Sequence, residues 1–200
     1  MNKDTIYASL TRNQKTAISI IRVSGSQTRI ILKKFLKKDV RSKETNLRNI
    51  YDSNGEFIDQ GLILFFSKPH SPTGEDVAEF HVHGSISIIK KIELELDKIE
   101  CVREAEPGEF TKRSFQNDKI DLLQVEGLDD LLEATTETQR KRAQLAFMGS
   151  VSSKLFGWRD ELIEISSYLE TSIDFSDEEL PANTISSFKN NHSTTISARR

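Results

Sequence analysis

Across residues 1–119, short stretches of alternating character are interleaved with stretches of helical period. Residues 5–9 and 17–23 read as β-strands, the second rich in Ile and Val. The polar turn Thr11-Arg12-Asn13-Gln14-Lys15 joins them. Ser24-Gly25-Ser26 then breaks the chain, and a helix is predicted to about Lys38. Ile31, Leu32, Phe35 and Leu36 form one face of it; Lys33, Lys34, Lys37 and Lys38 lie about half a turn away. Residues 47–51, the turn Asp52-Ser53-Asn54-Gly55, and residues 57–66 predict a β-hairpin. A loop with two prolines, Pro69 and Pro72, follows. Residues 77–82 alternate as a strand, residues 85–98 read as a helix, and 101–103 as a last short strand. Pro107-Gly108 opens a loop or short helix.

From Ile120 the texture changes. No proline occurs until Pro181, and helix formers dominate. Val151, Leu155, Trp158, Leu162, Ile165 and Leu169 form a heptad-like stripe, which requires a partner helix. Residues 122–147, carrying Leu128, Leu131, Leu132 and Leu145, are the expected partner. The fold class is therefore α+β, a mixed α/β part over 1–119 followed by an all-α segment over 120–180. Residues 181–200 hold few apolar side chains and are expected to be a frayed tail.

Composition narrows this picture. Hydrophobic residues are 36% and charged residues 30%, polar for a globular chain but short of global disorder. The longest apolar runs are too short for a transmembrane helix, so no membrane association is expected. Residues 1–7 lack the apolar stretch of a secretory leader, and none is expected. The single cysteine, Cys101, excludes an internal disulfide and a Cys-based zinc site. A reducing, cytoplasmic setting is the expectation. The net charge of −3 conceals an asymmetry: residues 1–50 carry +9 and residues 51–200 carry −12. A basic quarter on an acidic body either steers an anionic ligand or simply gives two solvated faces. The lysine face likewise reads as a solvated exterior or as a contact for RNA or another polyanion.

Several residues are candidates for chemistry. Glu79, His81 and His83 alternate, which puts them on one face of a strand. They suit a divalent metal, or else one histidine is packed and the other exposed. In Thr73-Gly74-Glu75-Asp76, Gly74 permits a tight turn or the close approach of a ligand, and Glu75 and Asp76 read as a turn's solvated charges. No Gly-x-x-x-x-Gly-Lys-Ser/Thr loop is present, so nucleotide hydrolysis has no support. No Ser-His-Asp or Cys-His set stands out, and Cys101 reads as well as a buried apolar residue as anything else. The stretch from Pro107 to Leu122 mixes glycine, aromatics and charges at the expected domain boundary, as a linker or a pocket lining.

Four ordered motifs resemble one family. They are Asp4-Thr5-Ile6 with Ile20-Ile21-Arg22-Val23-Ser24-Gly25; Pro72-Thr73-Gly74-Glu75-Asp76-Val77-Ala78-Glu79 with His83-Gly84; Ala105-Glu106-Pro107-Gly108-Glu109-Phe110-Thr111-Lys112-Arg113 running on through Asp118-Lys119-Ile120-Asp121-Leu122 to Gly127-Leu128; and Ile173-Asp174-Phe175-Ser176-Asp177-Glu178-Glu179. The family is the tRNA modification GTPases MnmE, also called TrmE. The resemblance runs from residue 4 to about 179. It implies a folate-binding N-terminal domain of the TrmE, GcvT-like type, followed by the first part of a helical domain. In the family a G domain comes next, and GTP, Mg and K belong to that full-length protein. On this pattern the chain stops where the G domain would begin, and reads as a fragment, a truncated product or a degenerate copy. No GTP hydrolysis is expected from these 200 residues.

The resemblance also implies a ligand, 5-formyl- or 5,10-methylene-tetrahydrofolate, and its contacts Arg22, Glu79 and Lys119. Glu79 is expected to accept the adjacent pterin N–H groups in a fork, and Arg22 or Lys119 to meet the anionic glutamate end. On that reading the Glu79, His81 and His83 face is a ligand wall rather than a metal site. The implied partners are a second copy, through the N-terminal domain, and the flavoprotein MnmG (GidA). tRNA, whose wobble uridine the family modifies, is reached indirectly. One departure is the sequence Arg12-Asn13-Gln14-Lys15-Thr16, where the family has a Pro- and Gly-rich turn. The alternatives are a dimerisation and docking module without folate binding, and a small metalloenzyme.

Overall fold

The computed structural model describes residues 4–11, 16–42 and 44–174. Its sheet strands are β1 (Thr5–Ser9), β2 (Ile18–Ser24), β3 (Asn46–Tyr51), β4 (Phe57–Phe66), β5 (Val77–His83) and β6 (Val102–Glu104). Its helices are α1 (Thr28–Leu36), α2 (Ile86–Asp97), α3 (Glu109–Gln116), α4 (Leu122–Glu133), α5 (Glu137–Phe147) and α6 (Ser150–Asp174). The six strands form one sheet in the order β3-β4-β5-β2-β1-β6, antiparallel except where β1 runs parallel to β6. The α+β reading therefore holds, a mixed sheet followed by helices alone.

The alternation of each strand sets the two faces of the sheet. Ile21, Val23, Ile63, Phe65, Ala78, Phe80 and Val82 point to one face and are buried. There they meet Ile31, Leu32 and Phe35 of α1 with Ile92 and Leu96 of α2. Phe35 and Phe80 pack with ring centroids 5.8 Å apart. The predicted apolar face of the first helix is thus the one that is buried. That helix stops at Leu36, because Lys37 takes a left-handed conformation (φ 53°) and its N–H closes on the Lys33 carbonyl.

The other face is mostly open. Cross-strand register lays two rows on it: Leu47, Leu62, His81 and Ile20, then Leu64, Glu79, Arg22 and Ala8. Helix α3 covers this face at the β1 end, where the Arg22 guanidinium lies 5.6 Å from the Phe110 ring. So the sheet is sandwiched, with α1 and α2 behind it and α3 over part of its front.

The helical part departs from expectation in two ways. Residues 122–147 are two helices, not one. Ala134 leaves the helical conformation, and Thr136 starts α5 with a capping box in which Gln139 answers back. The break folds α5 back onto α4, where Gly127 lets the Phe147 backbone approach: a Cβ there would lie 2.5 Å from the Phe147 nitrogen. α4 and α5 therefore pack chiefly on each other, burying Gly127 and Ala143, while Leu132 and Leu145 stay exposed, and α6 packs on them only lightly. The stripe on α6 is left open among the described residues, with Leu155, Leu162 and Leu169 all exposed. No described helix is long and apolar enough to cross a membrane. The expected tail at 181–200 lies outside the described residues.

Candidate functional site

The open face of the sheet, next to α3, brings two of the three expected ligand residues together. Arg22 and Glu79 are direct cross-strand partners. The Arg22 Nε donates to Glu79 Oε1 at 2.9 Å, and its terminal nitrogen lies 2.8 Å from the same oxygen. Glu79 Oε2 is 3.2 Å from His81 Nε2. The carboxylate side chain is 12% exposed and the guanidinium 27%, so the pair is sheltered yet reachable.

Lys119 does not join that pair. It follows α3, with its backbone N–H on the Ser114 carbonyl. Its Cε lies 3.2 Å from where a Cβ on Gly74 would stand, and Gly74 itself has φ 77°. Only glycine leaves room there for both Asn117 and the lysine stem. Asn117 Nδ2 closes the corner by donating to the Thr73 carbonyl at 2.7 Å. A cleft of about 690 Å³ opens at this corner, lined in part by Gly25, Lys68, Gly74, Glu75 and Asn117. Lys119 is exposed at its border.

Between these points lies a buried charge network that the sequence pattern did not foreshadow. Arg113 is 1% exposed. One of its terminal nitrogens donates to Glu75 Oε2 at 3.1 Å and to the Asp4 carbonyl at 3.0 Å; the other donates to Glu109 Oε1 at 3.0 Å. Arg103 grips the same Glu109 from outside through two nitrogens, at 2.9 and 2.6 Å. That grip, against burial and with help from the Glu106 N–H and Arg113, pulls the Glu109 pKa down to about 2. Glu75 also accepts from Ser24 Oγ at 2.7 Å. The network ties α3 to the start of β1, to β6 and to the 73–76 turn. The i,i+4 spacing of Glu109 and Arg113 was the available signal.

One sequence expectation changes here, and two readings that were open are narrowed. Glu75 and Asp76 are not solvated turn charges. Asp76 is buried, paired with Arg29 at 2.8 Å, and accepts the Lys68 N–H. The histidine face does not converge on one point: Glu79 is engaged by Arg22, while His83 Nδ1 turns to Asp59 at 2.8 Å. Among the described residues no group of three or more His, Cys, Asp or Glu side chains is placed to hold a metal. Cys101 is exposed rather than buried. Residues 12–15, most of the departing loop, and residues 175–179 of the fourth motif lie outside the described residues.

A sheet domain with a ligand-sized corner, leading into a helical hairpin, is the class matched by two family models. GTP-binding protein TrmE N-terminus matches residues 5–119, and MnmE helical domain matches residues 122–198. The chain belongs to the MnmE (TrmE) family of tRNA modification GTPases and carries the N-terminal part of such a protein. It is 43% identical over 178 residues to the tRNA modification GTPase MnmE of Dinoroseobacter shibae, covering 89% of this chain and 42% of that protein. It is 40% identical over 178 residues to the MnmE of Ruegeria sp. (strain TM1040), with the same coverage. It is 42% identical over 184 residues to the mitochondrial tRNA modification GTPase gtpbp3 of Dictyostelium discoideum, covering 88% of this chain and 36% of that protein. The chain thus spans about two fifths of the length of the relatives it matches.

Proposed function

We propose that this chain binds a one-carbon tetrahydrofolate derivative, 5-formyl or 5,10-methylene, at the corner between the open sheet face and α3. The observation that carries the reading is the Arg22–Glu79 pair beneath Phe110. A carboxylate has about four lone-pair positions, and among the described residues Glu79 Oε2 meets only a longer contact from His81. It therefore keeps acceptor capacity for the paired N–H groups of a pterin. Because Arg22 is tied to that same carboxylate, it orients Glu79 rather than meeting the far end of the ligand. The exposed Lys119, across Gly74, is the cation suited to the glutamate tail. Phe110 offers an apolar wall. The ligand would supply the one-carbon unit used in modifying a tRNA wobble uridine. In this reading 1–119 is the ligand-binding domain and 120–180 the start of the helical domain. The partners are a second copy and the flavoprotein MnmG, in the cytoplasm, with GTP chemistry belonging to the longer family protein.

A second reading is favoured by the open row Leu47, Leu62, His81 and Ile20, in which Leu47 is 57% and Leu62 43% exposed. On it the domain serves dimerisation and docking alone. Calorimetric titration with 5-formyltetrahydrofolate separates the two. Saturation near one ligand per chain, lost in Glu79→Ala, is the expected result. No heat from a folded wild-type sample removes the folate reading and leaves the docking module.

A further inference from the structure

On the back of the sheet, away from the proposed folate corner, the end of α1 and the two residues that follow it present a ridge of cations. Lys34, Lys37 and Lys38 are exposed, and among the described residues none of them pairs with a carboxylate. Lys37 instead caps the Tyr51 ring, its Nζ 4.0 Å from the centroid. Tyr51 packs edge-on against Phe57, with centroids 6.3 Å apart, and Phe57 is 60% exposed. Beside the ridge a cleft of about 390 Å³ separates the C-terminal ends of α1 and α2 from the β3–β4 turn. Its two acidic residues are neutralised. Lys91 lies 2.8 Å from Asp52, and Lys98 lies 2.6 Å from Glu95. The Lys98 hydrogen bond leads the causes that hold the Glu95 pKa down at about 2. The cleft therefore repels no anion.

We propose that Lys34, Lys37 and Lys38, with Phe57 beside them, form a direct RNA contact, the lysines meeting backbone phosphates and the ring receiving an unstacked base. This rests on the reading that the chain serves tRNA modification, and goes beyond the indirect route through a partner protein. Cations placed next to an exposed aromatic fit nucleic acid better than an acidic peptide, which has no base to stack. The charge asymmetry is in keeping with this, since residues 1–50, which include the three lysines, carry +9.

Fluorescence anisotropy of labelled tRNA with the whole chain, across a salt series, tests this. The triple variant Lys34→Glu/Lys37→Glu/Lys38→Glu is compared with Lys154→Glu on α6 as a charge control. The expected result is measurable wild-type binding, at least tenfold weaker in the triple variant. The slope of log affinity against log salt should fall by about two, the share of three phosphate contacts on a single strand. Phe57→Ala should weaken binding with the salt slope unchanged. Circular dichroism checks that the triple variant is folded, as three exposed side chains allow. No wild-type binding, an equal loss in Lys154→Glu, or polyglutamate competing as well as RNA would each overturn the proposal. Folate titration of the same triple variant keeps the two readings apart. Retained folate heat with lost RNA binding locates the effect on this surface. RNA binding by a wild type that gives no folate heat removes the folate reading alone.

Discussion

At the scale of single residues, the site depends on charges that are sheltered together. Arg113, at 1% exposure, is acceptable inside the fold only because Glu75, Glu109 and Asp4 surround its terminal nitrogens. Removing one partner of such a group leaves a buried charge uncompensated. Glu109 is the informative one to change. Its folded pKa is about 2, against an ordinary value of 4.5. A depressed carboxyl pKa contributes stability that is fully present above the unfolded value and is lost as pH falls through the folded one. Glu109→Gln should therefore destabilise the protein by about 2 kcal/mol at pH 7, a charged hydrogen bond's worth. The difference from wild type should shrink between pH 4.5 and pH 2, measured by urea denaturation in that window. A constant difference across the window would mean that Glu109 acts through packing rather than charge. Little of this was legible in the sequence. Alternation placed Glu79 on a face, but only the register brought Arg22 across from it. Glu75 and Asp76 have the composition of a turn, and nothing local says that Arg113, thirty-odd residues on, folds over one of them.

At the scale of elements, the strands and the first two helices were readable because one periodicity each governs them. The helical part was harder. The capping signal at Thr136 and Gln139 is in the sequence, yet a continuous run of helix formers hid it. A heptad stripe states that a helix needs cover; it does not state what supplies it, and α4 and α5 pair with each other while leaving Leu132, Leu145 and the stripe on α6 exposed. The contact at Gly127 is what that pairing rests on. Gly127→Ala would place a methyl 2.5 Å from the Phe147 nitrogen and 2.8 Å from the Ala146 Cβ. The two helices would have to move apart, at a cost of about 1–3 kcal/mol. Faster amide exchange in α4 and α5, with β-sheet protection unchanged, is the expected readout. Faster exchange throughout would mean that hairpin and sheet unfold as one unit.

At the scale of the whole molecule, the two sides of the sheet differ, with the Arg22–Glu79 pair and an open apolar row in front and the exposed lysines behind. Both readings under the proposed function include a second copy as partner, and the open front row is the apolar surface offered to it. Leu62→Glu would set a carboxylate in the middle of that row and should shift sedimentation from dimer toward monomer. The fold itself should be undisturbed, since Leu62 is 43% exposed in the single chain. Sedimentation unchanged by this substitution would place the self-association elsewhere. The strand order has a consequence of another kind. β1 lies between β2 and β6, with the Thr5 N–H bonded to the Cys101 carbonyl and the Ala105 N–H to the Tyr7 carbonyl. One edge of the first strand therefore stays unpaired until a segment about a hundred residues later has been made. At elongation rates of 5–20 residues per second, that wait is roughly 5–20 s. Through it the growing chain carries β1 as its edge, and β6 can take that place only once residues 101–105 have left the ribosome.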